Sequence, residues 1–175
     1  MAARLGKKET KNEEEKHTRQ AGPLMATYAN RTTVPVERSR AEVDRLLRRY
    51  GAREIATYWA EGKHALVQFI IAGRPVRLTV PMPSSAEVER DMAGRKRAPA
   101  AKARAIEQLE RQRWRALVLF LKAKLEAVAM GVTTFDEEFL AHILTADQST
   151  IGDHILPELE RALRSGGMPR LLPAH

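Results

Sequence analysis

Asp136, Glu137, Glu138 and His142 fall close together, and they are the residues best placed by type for metal or acid–base chemistry. Glu138 and His142 stand four apart, so on a helix they share a face. A carboxylate and an imidazole at that spacing can hold a divalent cation, with Asp147, Asp153 or His154 as further ligands nearby in sequence. A structural role accounts for the same residues. Acidic side chains in a first helical turn complement the helix dipole, and Glu137 stands where a capping box with Thr134 needs it. The chain has no cysteine, which excludes disulfides, thiolate zinc sites and cysteine nucleophiles. It also lacks a Gly-x-Ser-x-Gly elbow, a phosphate-cradling glycine loop and a His-Glu-x-x-His pair. Glu61 and Lys63 have the spacing of a nuclease Glu-x-Lys, but they fall in an expected turn with no preceding strand aspartate. No catalytic residue, resident metal or cofactor is therefore expected.

A second constellation points to binding. Arg104, Arg111, Arg115 and Lys122 are spaced i, i+7, i+11 and i+18. On a helix advancing about 100° per residue they lie within about 20° of one line, about 27 Å long. Such a line matches several phosphates of a nucleic acid backbone. The cluster Arg95-Lys96-Arg97 leads into it, and Arg40, Arg45, Arg48 and Arg49 of an earlier helix could join it. The plainer alternative is a solvated helix face. Tyr58, Trp59 and Phe69 are expected in the core rather than as stacking platforms.

These side chains need elements to hold them. Ser39 with Glu42 reads as a capping box opening a first helix. Val43, Leu46, Leu47 and Tyr50 form its apolar face, and Gly51 its stop. Three strands follow at 54–59, 65–71 and 75–80. The middle one is almost wholly apolar and is expected to be central and covered on both faces. The third alternates and is bracketed by Pro75, Pro81 and Pro83, which argues for an edge. Residues 82–100 read as a linker. A long helix spans about 101–130 with Trp114, Leu117, Val118, Leu121, Leu125 and Val128 as its apolar stripe. Thr134 with Glu137 opens a helix to Leu144. Thr150 with Asp153 opens another to about Arg164, which Pro157 is expected to kink unless the helix begins there. The predicted fold is α+β: helix, three-stranded antiparallel sheet, long helix, two short C-terminal helices.

Residues 1–24 are Lys/Glu-rich without apolar periodicity and read as a disordered extension. Residues 25–175, opening at Met25, read as one α+β domain. The apolar tail residues Leu171 and Leu172 are expected to dock on the body. Net charge is +8, distributed as +2 over 1–24, +10 over 25–131 and −4 over 132–175. The longest apolar run, Ala116 to Leu121, is far short of the roughly 20 residues a membrane helix needs. No membrane partner is expected, and the cytoplasm of a host cell is the expected location.

The segments Tyr28–Ser39, Arg113–Leu117, Lys122–Val128, Phe135–Ile143 and Met168–Pro173 together resemble a family of small uncharacterised proteins of tailed phages and prophages. The resemblance covers about 28–173 and omits 82–104. It implies a phage origin and supplies no activity. The sequence thus leads to a non-enzymatic accessory protein binding DNA or RNA through the basic line. The alternatives are a protein–protein module acting on a phage or host factor, and, behind both, a metal-dependent hydrolase at Glu138 and His142.

Overall fold

The computed structural model describes Ala29, residues 31–60 and residues 64–166. The chain divides into two compact units, Met1–Asn30 and Arg31–His175. All of the described helices and strands belong to the second. The expectations for residues 1–24, the Glu61–Lys63 turn and the tail with Leu171 and Leu172 lie outside the described residues.

The described residues form an α+β fold in the order α1 (Val36–Arg49), β1 (Arg53–Ala60), β2 (His64–Ile71), β3 (Arg74–Pro81), α2 (Pro99–Ala129), α3 (Phe135–Phe139) and α4 (Ile151–Ser165). The strands make one antiparallel sheet in the order β1-β2-β3. Ala65, Val67 and Phe69 of β2 are buried with Val76, Leu78 and Val80 of β3. Val43 and Leu47 of α1 join that core, with Trp114, Val118 and Leu121 of α2. The other side of β2, with Leu66, Gln68 and Ile70, is only half-buried. The expectation of cover on both faces is corrected: α1 and α2 both lie on one face, so its apolar residues do not all find an opposing layer.

α1 begins four residues before the start expected from Ser39 as N-cap. Pro35 is its N-cap, and the Ser39 amide already donates to the Pro35 carbonyl at 3.2 Å. Ser39 shares its face with Val43 and Leu47, and all three are buried. Tertiary packing takes the hydroxyl away from the capping role, and Glu42 is freed for another partner.

α1 and α2 run side by side in the same direction. Gln108 donates to the Thr32 carbonyl at 3.0 Å, Arg115 to Glu42 at 2.7 Å, and the Tyr50 hydroxyl to Glu126. Higher positions on one helix meet higher positions on the other.

Residues 82–98 are more ordered than a linker. Val88 is buried. The Asp91 carboxylate accepts from the amides of Ala93 and Arg95, both at 2.9 Å, closing a turn that pairs Arg90 with Lys96.

α3 stops at Phe139, followed by a 3-10 turn over Leu140–His142, well short of the expected Leu144. The cause is long-range. Ile143 bridges to Val76, and the Leu144 amide donates to the Pro75 carbonyl at 2.8 Å, so the chain leaves the helix to cover the outer edge of β3. The outer edge of β1 has no strand partner among the described residues. α4 opens on the Thr150–Asp153 capping box, contains Pro157 and closes at Gly166, whose φ of 68° suits a glycine. Gly152 is packed against the turn before it: a Cβ there would stand 2.6 Å from the Ala141 carbonyl oxygen.

Candidate nucleic-acid interface

The three residues of the Arg95-Lys96-Arg97 cluster hold the turn they belong to. Arg95 pairs with Asp91 at 3.0 Å and Lys96 with Glu89 at 3.5 Å. Arg97 donates to the carbonyls of Val88, at 3.2 Å, and Arg90. Arg95 and Lys96 remain largely exposed while making these pairs.

The line on α2 divides into two ends and a middle. Arg104 and Lys122 are exposed, with no carboxylate partner among the described residues. The middle pair is neither fully exposed nor unpaired. Arg111 is 23% exposed and bonds to Glu107 and Gln108 of its own helix. Arg115 is 27% exposed and pairs with Glu42 of α1. The line therefore faces the seam between the helices.

That seam brings a second basic face to the first. On α1, Arg38, Glu42, Arg45 and Arg49 recur at i, i+4, i+7 and i+11 and fall within about 60°. Since Glu42 touches Arg115, the arginines on its face stand alongside the α2 line. Arg38 and Arg45 are exposed without a carboxylate partner among the described residues. Arg49 lies over the Tyr50 ring at 6.0 Å. The face differs from the expected arginine set in two members. Arg48 is tied to Asp44 at 2.8 Å. Arg40 points to the other flank, between the rings of Trp59 and Trp114. Sequence reasoning missed Arg38 and Glu42, although their spacing with Arg45 and Arg49 was available. The two faces carry seven cations (Arg38, Arg45, Arg49, Arg104, Arg111, Arg115, Lys122) and three carboxylates (Glu42, Glu107, Glu126), a surplus of four.

Phe69 is in the core as expected, but Tyr58 and Trp59 are 39% and 48% exposed. β1 is a sheet edge, and burial of its side chains is limited by what lies beside it.

The acidic segment is built as structure. The Thr134–Glu137 capping box is complete. Asp136 pairs with Arg74 at 3.0 Å. The Lys124 ammonium sits 2.6 Å from the Glu138 carboxylate, in the place a cation would take. His142 is half-buried, edge-on to Phe120 at 6.1 Å. Burial, and then the Lys124 charge, hold its pKa below the ordinary histidine value. Among the described residues no three His, Asp or Glu side chains are grouped to hold a metal. Asp147, Ser149 and His154 do meet, but Ser149 and Asp147 both approach the same nitrogen, Nε2. A hydrolytic relay needs the carboxylate on the other ring nitrogen. Bonds from Thr145 and then Ser149 hold the Asp147 carboxyl far below the usual carboxylate range, which stabilises this turn.

No helix among the described residues is long and apolar enough to cross a membrane. No protein-family model, curated protein or solved structure matches the chain.

Proposed function

We propose that this chain is a non-enzymatic phage or prophage accessory protein that binds nucleic acid, DNA or RNA, through the joined basic faces of α1 and α2. One observation carries the reading. The Glu42–Arg115 contact sets the face that carries Arg38 and Arg45 alongside the line that carries Arg104 and Lys122, and none of these four has a carboxylate partner among the described residues. Cations left unpaired along a face about 27 Å long suit a polyanion better than a folded acidic partner. The test is fluorescence anisotropy with labelled duplex and single-stranded oligonucleotides across a salt series. Phosphate-driven binding weakens steeply with salt. Binding that is absent at low salt, or indifferent to salt, overturns the proposal.

A protein partner is the second reading. Leu156, Leu159 and Leu163 recur at i, i+3 and i+7 on α4 and are all exposed. A row of leucines in water is a surface for a partner helix or strand. Salt-resistant capture of a phage or host protein, lost on Leu159→Glu, supports this reading.

A further inference from the structure

We propose that Trp59 and Arg40 form a subsite for an unpaired nucleobase and its phosphate, so that the protein engages single-stranded rather than fully duplex nucleic acid at this point. The inference rests on the nucleic-acid reading above.

Trp59 is the penultimate residue of β1. Its partner on β2 is Ala65, which is fully buried, so the indole projects to the helix side of the sheet. There it meets Trp114 edge-on, with centroids 6.4 Å apart and planes at 67°. Trp114 is fully buried, yet Trp59 keeps 48% of its surface in water. With Trp114 beside it and Arg40 over the ring, that exposure leaves part of the residue accessible to a ligand. No strand covers it from the side among the described residues, because β1 is the edge of the sheet.

Arg40 supplies the second half of the site. Its guanidinium carbon lies 5.9 Å from the Trp59 centroid and 5.6 Å from that of Trp114. The two rings hold it by cation–π attraction. Arg48, Arg111, Arg113 and Arg115 each bond to a carboxylate. Arg40 pairs with no carboxylate among the described residues, so its donors remain for an anion.

A flat apolar surface beside a fixed cation matches a nucleotide: the base stacks and the phosphate takes the charge. A base inside a duplex is already stacked on both sides, so only an unpaired one can use the site. α1 carries Arg40 on one flank and Arg38 and Arg45 on another. A helix is only about 10–12 Å across, a distance that a short run of nucleotides spans. The competing account makes Arg40 a lid over Trp114 and Trp59 a seal at the sheet edge.

Tryptophan fluorescence separates the two, with oligo(dT) and a mixed-sequence duplex as probes. Oligo(dT) is expected to quench the protein's emission. Trp59→Phe should abolish the quenching while retaining most of the affinity, because phenylalanine keeps a flat face. Trp59→Leu, apolar but not flat, should weaken oligo(dT) binding about tenfold, in the range measured for single base stacks, and leave duplex binding unchanged. Arg40→Gln should weaken oligo(dT) binding and lower its salt slope by about 0.7. A melting temperature matching that of the parent protein validates each variant. Full oligo(dT) affinity in Trp59→Leu and Arg40→Gln overturns the subsite and leaves the basic face standing. Absence of salt-dependent binding to either probe by the parent protein removes the nucleic-acid reading and the subsite with it.

Discussion

Removing Arg38 and Arg45 tests the basic face where it is least entangled with folding. Both side chains are exposed and pair with no carboxylate among the described residues. Substituting them should leave the melting temperature almost unchanged, as surface changes away from specific interactions usually do. The faces hold seven cations against three carboxylates. If each of the four surplus charges neutralises one phosphate, log affinity for duplex DNA should fall against log salt with a slope of about −3.6. Between about 50 and about 200 mM salt that is a loss of about 150-fold. Arg38→Gln with Arg45→Gln halves the surplus, and the slope should move to about −1.8. Arg38→Glu with Arg45→Glu cancels the surplus, and salt-dependent binding should vanish. Anisotropy titrations at several salt concentrations read each slope directly. Two results refute the reasoning: a slope unchanged in the Gln pair, which places the phosphates elsewhere, or binding retained in the Glu pair.

Other consequences concern the acidic segment and the helix starts. Glu137, Asp147 and Asp153 all have carboxyl pKa values held low by hydrogen bonds, led respectively by the Thr134 amide, the Thr145 hydroxyl and the Thr150 amide. A depressed native pKa adds stability that is complete above the unfolded carboxylate value, about 4, and is lost as pH falls through the native value. The urea midpoint should therefore drop steadily below about pH 4, and Asp147→Asn should flatten that limb. His142 is also depressed, by burial first and then by Lys124, so its contribution should disappear as pH falls below about 6.5 and be missing from a His142→Gln variant. Mg2+, Mn2+ and Zn2+ should not raise the melting temperature, because Lys124 already occupies Glu138; a rise abolished by Glu138→Gln would restore a metal site. Thr134→Ala and Thr150→Ala each remove a capping acceptor and should cost about 1 kcal/mol in chemical denaturation.

The same four-residue capping-box pattern was legible at two helix starts and misleading at a third. Thr134–Glu137 and Thr150–Asp153 close as their spacing predicts because each threonine stands at the true start of its helix, Thr150 even though it is buried. Ser39–Glu42 has equal local credentials. It fails because Ser39 falls in register with Val43 and Leu47, and burying that face outweighs one cap. The α+β order and the rotation of α2 were readable from apolar period with caps and stops, and the edge position of β3 from its bracketing prolines. The end of α3 was not, since Pro75 captures Leu144 across the fold. The basic line on α2 was half legible: helical spacing aligned its four cations, but Glu42, which engages Arg115, stands 73 residues away. Residue type alone puts Trp59 in the core, and its exposure follows from an edge position that type does not encode.

The acidic C-terminal part could have cancelled the basic faces, since residues 132–175 carry −4. Its carboxylates are engaged elsewhere. Asp136 goes to Arg74, Glu138 to Lys124 and Asp153 to Arg77. Glu158 and Glu160 pair with Arg161 and Arg164 within α4. Asp147 stays in its own turn with Thr145, Ser149 and His154. None of these reaches Arg104, Arg111, Arg115 or Lys122. The acids that do lie on the basic faces come from α1 and α2 themselves, and Glu42 and Glu126 among them bond across to the other helix or its cap. The pairing that lowers the charge of the seam is thus the same pairing that assembles it. The charges left without a carboxylate among the described residues are Arg38, Arg45, Arg49, Arg104 and Lys122, and on the proposed reading these are the ones a polyanion would meet first. On the proposed reading their field, which reaches about 8 Å into physiological salt, would orient a nucleic acid before contact is made.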